Sequence, residues 1–243
     1  MRAFLEGQAF AHRGFWGGET PENSLAAFRR ARELGFGAEC DVHLSSDKVP
    51  MVFHDFDLKR MCDQPASIGD CPADVLTQTR FIGSDETIPA LAALLDETDD
   101  LPVLIELKTD ESENYIELGR KVADLVRQYT APLALMSFDY RIVRMCKSLH
   151  PGMKVGFLPD EGFSASAKDI QRVRSRSIYV AADFLAVNIG DLSAGAELSE
   201  ELGLPLACWT IRNEKDLLAC IDHKAAPIFE NLPPDLVRNA LST

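Results

Sequence analysis

The stretch "AHRGFWGGETPENSLAAFRRARELGFGAECDVHL", residues 11–44, contains the pattern that decides the fold. It starts as the end of an apolar strand, continues as an amphipathic helix and closes in a second strand. Thr20 is a suitable N-cap, Pro21 suits the first helical position and Gly35 ends the helix. The apolar stripe of the helix recurs at helical spacing, at Leu25, Phe28, Ala31 and Leu34. This order of elements predicts a parallel β–α–β unit.

The same unit recurs along the chain. The predicted strands are Ala9–His12, Gly37–Leu44, Val103–Lys108, Leu133–Phe138, Lys154–Leu158, Phe184–Asn188, Leu206–Thr210 and Pro227–Glu230. The later helices are predicted at about Pro89–Asp96, Ser112–Tyr129, Tyr140–Leu149, Ala167–Arg174, Gly195–Leu202 and Glu214–Ile221. Strands that alternate with helices in this way predict an α/β TIM (β/α)8 barrel, with a doubly wound sheet as the alternative. The chain has 243 residues, 46% of them apolar, and no linker, which predicts a single domain over residues 1–243.

One segment departs from this rhythm, "HLSSDKVPMVFHD", residues 43–55. Only a few polar residues separate the second strand from the β-rich run Val49–His54, too few for a parallel crossover. This predicts a β-hairpin excursion after strand 2, and a turn centred on residues 46–47 would bring His54 opposite Glu39. The residues that follow, about 55–86, have little periodicity and predict a small insertion over one barrel mouth.

Three acidic residues are predicted to meet at the carboxyl end of the barrel. Glu39 and Asp41 share one face of their strand, and Glu106 lies on the inward face of the next one. Three carboxylates this close disfavour one another's ionised forms unless a cation lies among them. Oxygen ligands favour one divalent Mg²⁺ or Ca²⁺ ion, with Mn²⁺ also compatible, over zinc.

Two histidines and two basic residues are predicted at the same strand ends. His12 and His54 are suited to act as general base and general acid beside a metal. Arg13 and Lys108 add positive charge where an anionic transition state would develop. Structural alternatives exist for each residue taken singly, because a strand-end histidine often only donates a structural hydrogen bond and Lys108 could simply neutralise Glu106. The coincidence of four segments at one strand end favours a catalytic site.

The composition excludes several kinds of partner. A formal charge of −13 and a pI near 4.8 argue against nucleic acid and anionic membrane surfaces. The chain has no apolar run of the roughly 18 residues that a membrane span needs, and its start lacks the apolar core of a secretory signal. The six cysteines have no metal-ligand spacing and fit buried, reduced thiols. A cytoplasmic protein with a small-molecule substrate is therefore expected, and a homo-oligomer stays open.

The motifs "AHRG", "PENSLAAF" and "ECDVHLSSDKVPMVFHD", followed by "IELK", "SFD", "VGFL" and "CWT", resemble those of the glycerophosphodiester phosphodiesterases. The resemblance runs from His12 to about Thr210. It implies a TIM barrel with a divalent metal at Glu39, Asp41 and Glu106. It also implies catalysis by His12 and His54 and phosphate contacts from Arg13 and Lys108. Such enzymes cleave glycerophosphodiesters into sn-glycerol 3-phosphate and an alcohol.

Several residues near the mouth bear on the substrate. Phe138 and Trp209 end apolar strands and are candidates for the substrate pocket, although aromatic residues there are more often core. The sequence departs from the family pattern at three places: Asp47-Lys48 in the hairpin turn, Arg212 in "WTIRN", and Glu230-Asn231 in "FENLPP". These departures leave the catalytic set intact and leave the alcohol open.

Other functions are also compatible with the fold. The nearest alternative is a phospholipase C-like or D-like barrel that acts on a lysophospholipid, another phospholipid or a non-glycerol diester, although the sequence shows no amphipathic membrane anchor. A non-catalytic binding protein would be expected to lack a histidine or a metal ligand, and this chain has all of them. A metal-dependent lyase would need a further base, which the sequence does not supply near the mouth.

Overall fold

The computed structural model describes residues 1–98, 100–109 and 115–242. Its strands are β1 Phe10–Ala11, β2 Gly37–Leu44, β3 Pro50–Val52, β4 Val103–Leu107, β5 Leu133–Ser137, β6 Val155–Phe157, β7 Phe184–Asn188, β8 Leu206–Ile211 and β9 Ala225–Phe229. All except β3 pair in parallel, in the order β1-β9-β8-β7-β6-β5-β4-β2, and a β1–β2 pairing closes the sheet. The predicted TIM barrel is confirmed.

The helices of the described residues are α1 Arg2–Leu5, α2 Leu25–Glu33, α3 Lys59–Cys62, α4 Ala73–Leu76, α5 Leu91–Thr98, α6 Tyr115–Val126, α7 Tyr140–Leu149, α8 Ala167–Val180, α9 Leu192–Leu202, α10 Glu214–Asp222 and α11 Pro234–Leu241. Part of the helix predicted from Ser112, residues 112–114, lies outside the described residues. α8 continues six residues beyond the predicted end because its buried face extends through Ser177 and Val180.

The start of α2 differs from the sequence prediction. Ser24, not Thr20, is the N-cap, and its hydroxyl accepts the backbone N–H of Ala27 at 3.2 Å. Residues 21–23 stay outside the helix because Asn23 has a positive φ of 56°. The amide of Asn23 donates to Asp41 at 2.9 Å, so this segment packs against the site and does not add a turn to α2.

The core has two layers, one between the strands and the helices and one inside the barrel. The inner layer includes Phe10, Leu104, Met136 and Phe184. A Cβ at Gly156 would lie 2.3 Å from the ring of Phe184, so glycine leaves the space that this ring fills. The inner layer closes the barrel below the carboxyl ends of the strands, where the polar residues collect.

The hairpin is present, with its register shifted by one residue from the prediction. Strands β2 and β3 are antiparallel, with Val42 opposite Val52, and the turn spans residues 45–49. Lys48 adopts a φ of +69° in this turn. The pairing therefore does not bring His54 opposite Glu39, because the turn holds one residue more than predicted. The last bond runs from the N–H of Phe53 to the carbonyl of Asp41 at 3.0 Å, and His54 lies just beyond it.

The insertion after the hairpin contains α3, a 3₁₀ turn at Ile68–Asp70 and α4. It packs with the hairpin around a separate apolar cluster that consists of Met51, Phe53, Leu58, Cys62, Ile68, Leu76, Phe81 and Ile88. The six cysteines are free, and all except the half-buried Cys71 are buried, as predicted. Across the described residues, the helices all fall short of the length and apolarity needed to cross a membrane.

Candidate active site

The three predicted acidic residues converge at the carboxyl ends of β2 and β4. Asp41 lies directly opposite Glu106 in the parallel ladder, and Glu39 is two residues earlier on the same face. The side chains of all three are buried, and one carboxylate oxygen from each lies within 4.8 Å of the others. Cys40, between the two acids of β2, belongs to the layer outside the barrel, as strand alternation predicts.

Two cations contact this acidic cluster. Lys108 Nζ lies 2.9 Å from Glu106 Oε1 and 3.4 Å from Asp41 Oδ1. Arg13 Nε lies 3.4 Å from Asp41 Oδ2. Burial alone would raise the pKa of Asp41, but Lys108 and the other nearby cations outweigh it and hold that pKa well below its usual range.

Glu39 is in a different electrostatic environment from Asp41. It accepts the backbone N–H of Arg13 at 3.0 Å. Burial, followed by the charges of Asp41 and Glu106, raises the pKa of Glu39 well above its ordinary value. With all three carboxylates ionised, the cluster would carry three negative charges against the two positive charges of Arg13 and Lys108, and the raised pKa of Glu39 reflects this imbalance. A buried set of three carboxylates with this imbalance fits a hard divalent cation.

The ring of His12 belongs to a chain of three side chains. Its Nδ1 donates to Glu230 Oε2 at 2.6 Å, and Arg212 Nε donates to Glu230 Oε1 at 2.7 Å. Burial opposes the ionisation of Glu230, but the hydrogen bond from His12 and the neighbouring Arg212 lower its pKa to about 2. The other ring nitrogen, Nε2, lies 4.0 Å from Glu39 Oε2, and both residues line the cavity.

His54 has a second arrangement of the same kind. Its Nδ1 donates to Asp55 Oδ1 at 2.7 Å, and Arg60 Nε donates to Asp55 Oδ2 at 2.6 Å. Arg60 also donates to Glu22 at 2.6 Å, and Glu22 accepts from Arg13 NH1 at 2.8 Å. The insertion thereby connects His54 to Arg13 through ion pairs.

A cavity of about 340 Å³ opens above the acidic cluster. Every predicted site residue lines it: His12, Arg13, Glu39, Asp41, His54, Glu106, Lys108, Phe138 and Trp209. The rings of Phe138 and Trp209 meet edge to face with centroids 5.5 Å apart. Phe138 directly follows β5 and Trp209 lies in β8, two and three strands away from β2 around the barrel, so this aromatic pair lines a different part of the cavity wall from the acidic cluster.

Other residues of the site were not assigned roles from the sequence. Glu22 is buried between two arginines, and Glu230 with Arg212 reaches His12 across the barrel closure. His43, two residues after Asp41 in the same strand, is fully buried. Its Nε2 lies 3.0 Å from the carbonyl of His54. For the network around His54, the sequence feature that could have indicated it is the acid directly after this histidine, Asp55.

The comparisons with known proteins agree with this geometry. Residues 12–233 match the model of the glycerophosphoryl diester phosphodiesterase family. A glycerophosphodiester phosphodiesterase of Caldanaerobacter subterraneus is 26% identical over 93% of this chain and 95% of that protein. The human lysophospholipase D GDPD1 is 28% identical over 56% of this chain, which spans less than half, 46%, of that protein's length.

The fold of this chain also resembles those of solved structures. A phosphodiesterase of Oleispira antarctica, in complex with the product sn-glycerol 3-phosphate, has a TM-score of 0.85 at 24% identity and covers 100% of this chain and 99% of that one. A glycerophosphodiester phosphodiesterase of Parabacteroides distasonis has a TM-score of 0.80 at 23% identity and covers 97% of each chain. The family match over nearly the whole chain confirms the predicted enzyme class. The chain belongs to the glycerophosphoryl diester phosphodiesterase family.

Proposed function

We propose that this chain hydrolyses glycerophosphodiesters to sn-glycerol 3-phosphate and an alcohol, with a divalent metal and paired-histidine acid–base catalysis. The observation that carries the proposal is the single cavity in which three buried carboxylates, two histidines and two cations meet. The relative from Oleispira antarctica, which was solved with sn-glycerol 3-phosphate, supports the choice of product.

Arg13 and Lys108 are suited to hold the phosphodiester. Both side chains are largely buried, and each already lies within 3.4 Å of Asp41. Within the described residues, Arg13 Nε is buried without a hydrogen-bond partner. Its 3.4 Å ion pair with Asp41 Oδ2 offsets only part of the desolvation cost of this donor, and a phosphate oxygen at hydrogen-bond distance would offset the rest. The phosphate is therefore expected next to Arg13 and Lys108.

Glu39, Asp41 and Glu106 would hold the metal. When bound, a divalent cation would offset their charge and polarise a non-bridging phosphate oxygen. Mg²⁺ and Ca²⁺ are the ions we expect, because all the protein ligands are oxygen. Within the described residues these three side chains are the one group of metal-ligating acids, cysteines or histidines close enough to share an ion.

The two histidines are suited to move the protons. One ring nitrogen that faces the cavity accepts the proton of the attacking hydroxyl, and the Nε2–H of the other histidine protonates the leaving alcohol. The attacking hydroxyl is that of water or the glycerol C2 hydroxyl; in the second case water then opens a cyclic phosphate. Both routes consume one water and release sn-glycerol 3-phosphate. Each histidine holds Nδ1 on a carboxylate, which leaves Nε2 for this chemistry.

Phe138 and Trp209 are suited to contact the organic part of the substrate. Their rings pack against each other in the cavity wall. Trp209 Nε1 donates to the carbonyl of Ala186 at 3.2 Å, so its ring has a fixed orientation at the cavity wall. The extent of this wall would decide which alcohols fit, and truncation of either ring is expected to alter KM for the diester.

A lysophospholipid is the second candidate substrate, and the human relative's name, lysophospholipase D, favours it. That relative is much longer than this chain, which spans 46% of it. The glycerophosphodiester is the better-supported choice, because the Caldanaerobacter relative matches this chain over 95% of its own length. A cytoplasmic location and a single domain over residues 1–243 stay predictions.

The test is release of glycerol 3-phosphate from glycerophosphocholine, glycerophosphoethanolamine and lysophosphatidylcholine, with Mg²⁺, Ca²⁺ or EDTA present. Glu39→Ala is expected to abolish metal-dependent release, and Glu97→Ala, on the exposed Arg29 ion pair, is the matched control. Faster cleavage of lysophosphatidylcholine would favour the second candidate. No release with any metal from folded protein would refute the proposal, as would full activity of folded His12→Ala and His54→Ala variants.

A further inference from the structure

Closure of the barrel joins three side chains, one at the end of each of β1, β8 and β9, in a hydrogen-bonded chain. They are His12, just after β1, Arg212, just after β8, and Glu230, just after β9. We propose that the Arg212–Glu230 pair is a positioning device for His12, which fixes the ring tautomer and aims Nε2 into the cavity. The inference deepens the proposed function and rests on it, since it assigns two residues that act through a catalytic histidine.

The hydrogen-bonding groups determine the tautomer. An ionised carboxylate only accepts hydrogen bonds, so the 2.6 Å contact to Glu230 requires the hydrogen of His12 on Nδ1. In the neutral ring, the lone pair is then on Nε2, the nitrogen that lies 4.0 Å from the cavity-lining Glu39. Without this acceptor the ring would be free to place its hydrogen on Nε2 and to rotate.

The backbone holds both partners in place. His12 donates its N–H to the carbonyl of Phe229 at 2.8 Å, and Glu230 donates its N–H to the carbonyl of Ile211 at 3.1 Å. Trp16 Nε1 donates to the carbonyl of His12 at 3.0 Å. The side chains of His12 and Glu230 are 13% and 10% exposed, so little solvent competes for their contact. The backbone hydrogen bonds and the burial of both side chains therefore hold His12 and Glu230 in contact.

Arg212 is expected to affect the orientation of the Glu230 carboxylate more than the stability of the protein. Its side chain is 58% exposed, and exposed ion pairs stabilise proteins little. By donating to Oε1 it occupies one oxygen of Glu230 and leaves Oε2 for His12. Asn231 has a φ of +57° and turns the chain directly after Glu230. The functional consequence of Arg212 is therefore expected at His12.

A second, independent observation supports the assignment. His54 has the same order of groups, with Nδ1 on Asp55 and Asp55 held by Arg60. The two networks come from different parts of the chain. The His54 network lies at the start of the insertion, and the His12 network joins the first and last strands of the barrel. Both proposed catalytic histidines thus expose the same ring nitrogen, as expected if the tautomer matters for proton transfer.

Kinetics separate positioning from a direct role. We expect Glu230→Ala to lower kcat about 10- to 100-fold, by analogy with the removal of carboxylates that orient metal-bound histidines. KM should change little. Glu230→Gln keeps an acceptor for Nδ1–H and is expected to retain more activity than Glu230→Ala. In a His12→Ala background, Glu230→Ala should have no further effect, because it acts through the missing ring. A further loss in that background would overturn the inference.

The tautomer can also be measured without turnover. In protein labelled with ¹⁵N-histidine at alkaline pH, His12 should show a protonated Nδ1 and an unprotonated Nε2. Glu230→Ala should change this pattern, and Glu201→Ala, which removes the exposed partner of Arg174, should not. A wild-type His12 protonated on Nε2 would overturn the inference. If His12 has the expected tautomer but no diester is cleaved, the positioning stands and the proposed function fails.

Discussion

Replacing Glu39 by glutamine should stabilise the metal-free protein while it abolishes activity. Glu39 is buried, and an oxygen of its carboxylate lies within 4.8 Å of oxygens from Asp41 and Glu106. The cationic groups of Arg13 and Lys108 contact Asp41 or Glu106 at 3.4 Å or less. Within the described residues, the one hydrogen bond that the carboxylate of Glu39 accepts comes from the backbone N–H of Arg13. Glutamine keeps an acceptor for that N–H and removes the repelled charge.

The size of the effect follows from these distances. Two unit charges 4.8 Å apart repel by about 3.5 kcal/mol at an effective dielectric constant of about 20. At pH 7 the cost to the fold is limited to about 3.4 kcal/mol, the free energy needed to protonate a carboxyl group with the ordinary pKa of 4.5, because beyond this value Glu39 would take up a proton instead. The guanidinium of Arg13 offsets part of it. We therefore expect Glu39→Gln to gain about 1–3 kcal/mol, which raises Tm by roughly 2–12 °C for a chain of this size.

The assay is thermal and urea unfolding of both proteins in EDTA, from pH 4 to pH 8. The folded-state pKa of Glu39 is raised, so the wild type should lose stability as pH rises above the ordinary carboxyl pKa. The advantage of Glu39→Gln should accordingly shrink toward pH 4. Glu97→Gln, which alters an exposed ion pair, should stay within about 0.5 kcal/mol of wild type. A Glu39→Gln protein less stable than wild type in EDTA would refute the electrostatic argument.

Three further outcomes are expected. Mg²⁺ or Ca²⁺ at about 100 times its Kd should stabilise the wild type by about 2.7 kcal/mol, which raises its Tm. Asp41→Asn should remove this increase, and an equal rise in the Tm of wild type and variant would contradict the metal site. Arg60→Met should lower kcat about 10- to 100-fold, because it releases Asp55 from its arginine, and unchanged kinetics would contradict this role. Gly156→Ala should cost about 1–3 kcal/mol in urea unfolding, since its methyl group would overlap Phe184, and wild-type stability would show that the core yields.

Strand-level features were predictable because they depend on local periodicity. Because side chains alternate along a strand, Glu39 and Asp41 were predicted to point into the barrel on either side of Cys40. The parallel order of the strands predicted that Glu106 lies beside them, as observed. The hairpin was also predictable, since too few residues were present for a crossover. Its register was not, because one additional turn residue at a positive φ, Lys48, moves every pair and leaves no trace in the hydrophobic pattern.

Contacts between distant segments could not be read from the sequence. Glu230 lies 218 residues from His12, and only barrel closure brings their side chains together. The sequence marked Arg212 and Glu230 as separate departures from the family pattern, whereas in the fold they are one ion pair. The cap of α2 was misplaced for a related reason, since Asn23 leaves the helix to donate to Asp41 in the next strand.

The central claim is that the cavity cleaves the bond between phosphate and the alcohol and leaves the phosphate on glycerol. Time-resolved ³¹P NMR of purified protein with glycerophosphocholine and Mg²⁺ or Ca²⁺ tests it most directly, because the two halves of the diester give different phosphate products. We predict that the diester resonance is replaced by that of sn-glycerol 3-phosphate, with free choline released in equal amount. Formation of phosphocholine, or a diester that persists beside folded, metal-loaded protein, would contradict the account.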